Sequence, residues 1–105
     1  MKADLKQKWV AALQSGHYKQ GRNRLRQKDN TYCCLGVLCD IMRPDDWRPS
    51  LSGSCFVMGN SASTLTTTMA KEAGLSDSQL GNLIRLNDDI QASFNAIAKH
   101  VEINL

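Results

Sequence analysis

Few of the residues that carry most protein chemistry occur here: the 105 residues include two histidines, two prolines, and two each of tryptophan, tyrosine and phenylalanine. The four cysteines, Cys33, Cys34, Cys39 and Cys55, form no Cys-x2-Cys pair and have no histidine close in sequence, so the spacing of a zinc site is missing. Phosphate-cradling glycine loops, EF-hand patterns and paired helical histidines are also lacking. Neither a metal nor a cofactor is predicted. There is no long apolar run either. Met1 to Lys8 is charged and leads into an amphipathic pattern, so neither a signal peptide nor a membrane span is expected. These features point to a cytosolic protein whose thiols stay reduced and pack as small hydrophobes.

Acid is absent from one end. Residues 1 to 28 hold eight Lys or Arg against Asp4 alone, a net of +7, whereas residues 29 to 105 hold five against nine acids, a net of −4. The basic end either meets an anionic partner or folds back on the acidic remainder of its own chain. The overall composition, 42% hydrophobic and 22% charged, is that of one globular domain spanning residues 1–105.

The densest apolar run is Tyr32-Cys33-Cys34-Leu35-Gly36-Val37-Leu38-Cys39-Asp40-Ile41-Met42. Its length favours a buried helix over a buried strand. Cys34, Leu35, Leu38, Ile41 and Met42 then share a stripe, Asp29-Asn30-Thr31 offers N-caps, and Pro44 blocks continuation. Gly36 inside a helix costs about 1 kcal/mol relative to alanine, which suggests that another backbone packs against it.

Leu5, Trp9, Val10 and Leu13 predict a first helix over 3–14, with Trp9 as its anchor and Lys2, Lys6 and Lys8 toward solvent. Residues 43–63 carry both prolines with Gly53 and Gly59, and read as an irregular excursion or small β-hairpin containing Ser54 to Met58. A helix over 64–73 ends at Gly74-Leu75. Ser76-Asp77-Ser78-Gln79 has capping-box spacing and starts a helix through about Leu86. Asn87-Asp88-Asp89 is expected to break that helix, and a last one follows from Asp89 or Ser93. The predicted class is mainly α, with α+β as the variant: about five short helices around a buried central helix at 32–42.

Three sets of residues are candidates for function. Lys19, Arg22, Arg24, Arg26 and Lys28 form an acid-free basic row; if extended, the last four project from one face with Leu25 on the other, a pattern that suits phosphates or another polyanion. A solvated loop, or an edge segment whose charges block pairing, is the plain structural alternative. Trp47 and Phe56 mark a partner surface if they are exposed. Asn87 and Asp88 suit capping and turn formation between two helices, or ligand binding. A cysteine nucleophile with His17 or His100 as base is disfavoured, because the thiols fall in the apolar run.

Taken together, Trp9-Val10-Ala11-Ala12-Leu13-Gln14-Ser15-Gly16-His17-Tyr18-Lys19-Gln20, the Tyr32 to Asp40 run, and Leu86-Asn87-Asp88 followed by Ser93-Phe94-Asn95-Ala96-Ile97-Ala98 give the chain a resemblance over most of its length. It resembles a family of short, uncharacterised bacteriophage and prophage proteins. The family usually places a glycine soon after the Asn-Asp pair, whereas Asp89-Ile90-Gln91-Ala92 has none, which implies a more helical turn here. The resemblance implies action inside a bacterial host, in takeover or counter-defence. The expected function is therefore binding to a host protein, with nucleic acid or an anionic nucleotide on the basic row as the alternative and a cysteine-dependent enzyme as a third. A homodimer through 43–63 is open.

Overall fold

In the computed structural model, which describes residues 1–105, five helices are combined with a small five-stranded mixed sheet. The class is thus α+β. Helix α1 spans Ala3–Gln14. Trp9, Val10 and Leu13 are its buried residues, and Trp9 donates its indole N–H to the Cys34 carbonyl at 2.9 Å. That bond satisfies the one polar atom of a fully buried ring. Lys2 and Lys8 face solvent as expected, but Lys6 is half-buried and donates to the Glu102 carbonyl.

The basic segment contributes strands β1 (Lys19–Gln20) and β2 (Arg26–Gln27), and β3 follows at Thr31–Tyr32. With β4 (Trp47–Pro49) and β5 (Cys55–Met58) they make a sheet of order β1-β3-β2-β5-β4. β1 runs parallel to β3, and the other pairings are antiparallel. β2 therefore lies in the middle of the sheet, so the alternative of an edge segment holds for Lys19–Gln20 in the edge strand β1 and is corrected for Arg26–Gln27. The excursion at 43–63 is the β4–β5 hairpin, and its tip presents Leu51, the most exposed large apolar side chain.

The central helix α2 spans Cys34–Met42 rather than 32–42. Tyr32 is lost to it because its backbone is engaged in the ladder with β1 and β2. Its N-cap is Cys33, whose sulfur accepts from the Gly36 N–H, and not the preceding turn. Asp29 serves that turn instead, accepting from both the N–H and the hydroxyl of Thr31, which hold its carboxyl below the usual range. A Cβ on Gly36 would lie 1.7 Å from the Leu25 carbonyl oxygen. The backbone that the glycine was expected to admit is thus the one leading into β2.

Helix α3 is Thr67–Ala73, capped by Thr66; Leu65 is buried but precedes the helix, so the expected start at 64 was too early. Gly74 ends it with φ 75°, in the left-handed region that glycine adopts freely. Helix α4, Asp77–Ile84, begins with the expected capping box of Ser76 and Gln79. Asn87-Asp88-Asp89 does not break the chain there. The helix widens instead into a π-helical turn over Arg85–Asp89, and ends where Gln91 takes φ 60°. Ser93 then caps α5, Phe94–Asn104, which fixes the start of the last helix. Buried apolar side chains from all five helices, including Trp9, Leu38, Met69, Leu83 and Ile97, form one contiguous cluster. No helix is long and apolar enough to cross a membrane.

Candidate anion-binding site

Asn87 is the buried polar centre of the molecule, with no exposed surface. Its Oδ1 accepts from Gln20 Nε2 at 2.9 Å and from the Cys34 N–H at 3.2 Å. Its Nδ2 donates to the Gly21 carbonyl at 2.9 Å and to Asp88 Oδ1 at 2.8 Å. The side chain thus caps α2 from across the fold, where capping of its own neighbouring helices was expected. Asp88 Oδ1 also accepts from the Asn23 N–H, and Gln20 Nε2 also donates to the Ala92 carbonyl. Through these bonds the π-turn grips residues 20–23, the start of the basic segment. The π-turn aims two successive side chains at one loop, as such widened turns often do at functional sites.

The five cations of that segment have different surroundings. Lys19, Arg24 and Lys28 are exposed. Arg24 donates to the carbonyl of its neighbour Asn23. Arg26 is half-buried: its guanidinium lies 4.2 Å from the centre of the Phe56 ring and 5.5 Å from those of Tyr32 and Trp47, and both Nε and Nη2 donate to Asn30 Oδ1. Cross-strand register brings this about, since Arg26 faces Tyr32 on one side and Phe56 on the other. The four cations from Arg22 to Lys28 do not form one period-two row, because Asn23 takes φ 71° and Lys28 lies in the β2–β3 turn. Arg22 is half-buried with its Nε shut from water and without a partner.

Trp47 and Phe56, named for a partner surface, are each half-buried beneath Arg26. Trp47 donates to Asp40 Oδ1 at 2.9 Å, and the Tyr18 hydroxyl donates to Asp40 Oδ2 at 2.6 Å. Burial pushes the Tyr18 phenol up, reinforced by its hydrogen bond to Asp40 and by that carboxylate's charge. Tyr32 is raised by burial and by Asp40, against the opposing pull of Arg26. A raised phenol favours the folded state fully below its ordinary value of about 10 and loses that contribution as pH climbs through the folded value. Alkaline titration followed at 295 nm should therefore show neither tyrosine ionising near that pH in the native protein. A normal phenolate rise before unfolding would refute the Asp40 arrangement.

All four cysteines are buried and free. Burial pushes the thiol of Cys33 up to about 11, that of Cys39 up to about 12 and that of Cys34 well above its ordinary value. Such thiols are poor nucleophiles at neutral pH. No three His, Cys, Asp or Glu side chains come together in a way that would hold a metal ion.

Residues 1–78 match the family described as Domain of unknown function (DUF8296). The chain belongs to that family. The DUF8296 match takes in the basic segment, the sheet and α2, and stops before the Asn87-Asp88 turn and α5. No curated protein and no solved structure matches the chain. Gln20, Gly21, Tyr18 and Asp40 are the site residues that sequence reasoning passed over. Each has a side-chain hydrogen-bond partner at least 22 positions away.

Proposed function

We propose that this protein works by binding rather than catalysis, and that the segment from Lys19 to Lys28 is the contact surface for a phosphate-bearing polyanion, nucleic acid in the first instance. One observation carries this reading. The ion pairs of the molecule all belong to Arg43, with Asp46 and Glu72, so none of the eight cations in residues 1–28 makes a direct ion pair with the acidic remainder of the chain. Cations left without direct partners support the reading of an external anion, and burial makes the thiols poor nucleophiles.

Neutralising phosphates releases counterions, so affinity for a single-stranded oligonucleotide should fall steeply between low and moderate salt. Lys19, Arg24 and Lys28 are exposed and can be replaced by alanine together with little effect on folding. Fluorescence anisotropy with that triple variant should give a salt slope shallower by about 2, at roughly 0.7 per lost phosphate contact. An unchanged affinity and slope would end the reading.

A second reading has its own observation. Leu51 is fully exposed at the hairpin tip, set among Ser50, Ser52, Gly53 and Ser54, and is the apolar side chain that a protein partner would cover there. Given the resemblance to phage proteins, that partner would be a host defence or regulatory protein. Capture from bacterial lysate by the tagged protein, with nuclease added, separates the two: a specific host protein lost on Leu51→Asp favours this reading, and a nuclease-sensitive eluate favours the first.

A further inference from the structure

Resting on the polyanion reading above, we infer that Arg22 seats one phosphate group, and that the Asn87-Asp88 turn exists in part to present it. Of the three arginines in the segment, two are already engaged: Arg24 donates to the Asn23 carbonyl, and Arg26 is held by Asn30 and three aromatic rings. Arg22 is engaged by nothing. Its Nε is the one buried side-chain nitrogen or oxygen in the molecule without a hydrogen bond, and no carboxylate pairs with it. A guanidinium stripped of water on its inner side and left unpaired on its outer side is an under-solvated charge. An oxyanion on the open terminal nitrogens would relieve it, through the paired N–H geometry that matches phosphate.

The backbone around Arg22 is held on every side. Asn87 Nδ2 donates to the carbonyl of the preceding Gly21, the N–H of the following Asn23 donates to Asp88 Oδ1, and Gln27 Nε2 donates to the carbonyl of Arg22 itself. Gly21 is held further by its N–H, which donates to the Tyr32 carbonyl at 2.7 Å, and it packs against Thr31 so closely that a Cβ would lie 2.6 Å from Oγ1. Asn23 is kept at φ 71° by the same contacts. A cation carried on so fixed a backbone loses less freedom on binding than one on a mobile loop. Lys19, Arg24 and Lys28 then supply long-range attraction, while Arg22 supplies the specific hydrogen bonds.

The test compares Arg22→Ala, Arg22→Lys and Arg24→Ala for binding of a fluorescent single-stranded oligonucleotide across a salt series, with thermal melts to confirm folding. Arg22→Ala should weaken binding about tenfold or more, as expected for a hydrogen bond to a charged group. Arg24→Ala should weaken it only about two- to fourfold. The Arg22→Ala deficit should persist at high salt, where the Arg24→Ala deficit shrinks toward nothing, because screening removes a solvated charge but not a fixed hydrogen bond. Arg22→Lys keeps the charge and loses the fork, so it should recover little; it also decides the matter if the alanine variant fails to fold. A nucleoside 5′-monophosphate separates the sources of phosphate: Arg22-dependent binding of it points to a free nucleotide, and binding of the oligonucleotide alone points to a polymer backbone. Equal deficits for Arg22→Ala and Arg24→Ala with the same salt dependence, or equal Arg22-dependent binding of polyglutamate, would overturn the seat while leaving the basic surface standing. Failure of the wild-type protein to bind any of these anions would remove both.

Discussion

Gly36→Ala is expected to destabilise the protein by about 3 kcal/mol, lowering its melting temperature by roughly 15 °C. On helix propensity alone the sign would be opposite, because alanine is better than glycine in a helix interior by about 1 kcal/mol. Packing decides against propensity. The new methyl carbon would lie 1.7 Å from the Leu25 carbonyl oxygen and 2.6 Å from its carbon. Both are backbone atoms, so no side chain can rotate away and either α2 or the approach to β2 must move. Leu25 is itself fully buried, and its N–H is tied to the Ala62 carbonyl at 2.7 Å. Movement there would disturb the strand that carries Arg26. Gly81→Ala is the matched control. Gly81 is exposed in α4 with nothing within 4 Å of its virtual Cβ, so the same change should stabilise by about 0.4–1 kcal/mol. Thermal melts that moved in the same direction for both variants would show that the close approach at Gly36 is absent.

That contrast illustrates what the sequence makes legible. A glycine in an apolar helical run carries a propensity cost that only a close neighbour explains, so the presence of the neighbour could be read and its identity could not. Helix α1 and the capping box at Ser76 were readable because they rest on local spacing, three or four residues at a time. The sheet was not. Its strands are two to four residues long, too short to show a period of two, and their partners are far apart, as with Arg26 and Phe56. Arg26 for that reason reads as one more solvated cation, although it roofs three rings drawn from β3, β4 and β5. The π-turn was hidden for a related reason: Leu83, Ile84 and Leu86 keep an acceptable helical spacing, and the widening appears only in which carbonyl each N–H meets. Asp40 shows the same limit. Within its helix it is an acid in an apolar run, and its purpose lies in Tyr18 and Trp47 on other elements.

Asn87→Ala should cost more than any other single polar substitution, about 3–5 kcal/mol and enough to leave a domain of this size close to its unfolding limit. The estimate follows from what would be stranded. Removing the amide leaves the buried Cys34 N–H at the start of α2 and the part-buried Gly21 carbonyl without partners, and Gln20 keeps only its bond to Ala92. Buried groups abandoned in this way each cost about 1–3 kcal/mol. Asn87→Asp sharpens the argument because it preserves shape and changes one donor into an acceptor. The new oxygen would face the Gly21 carbonyl and the Asp88 carboxylate, both acceptors, and a negative charge would be buried at position 87 beside the half-buried Asp88. Its damage should therefore be at least as large at neutral pH. Protonation would restore a donor, so the stability gap to wild type should narrow as pH falls, the reverse of the acid sensitivity usual for carboxylates. A gap independent of pH would place residue 87 somewhere other than between these acceptors. The functional consequence is separable from the global one. Because Asn87 and Asp88 hold the backbone on both sides of Arg22, Asp88→Ala, which strands only the exposed Asn23 N–H and one bond to Asn87, should leave the fold largely intact. It should loosen the loop, so oligonucleotide affinity should drop even though an acid has been removed from the neighbourhood of a bound anion. Electrostatics alone predicts a rise, and the sign of that single change decides whether the turn merely closes the fold or also aims the arginine.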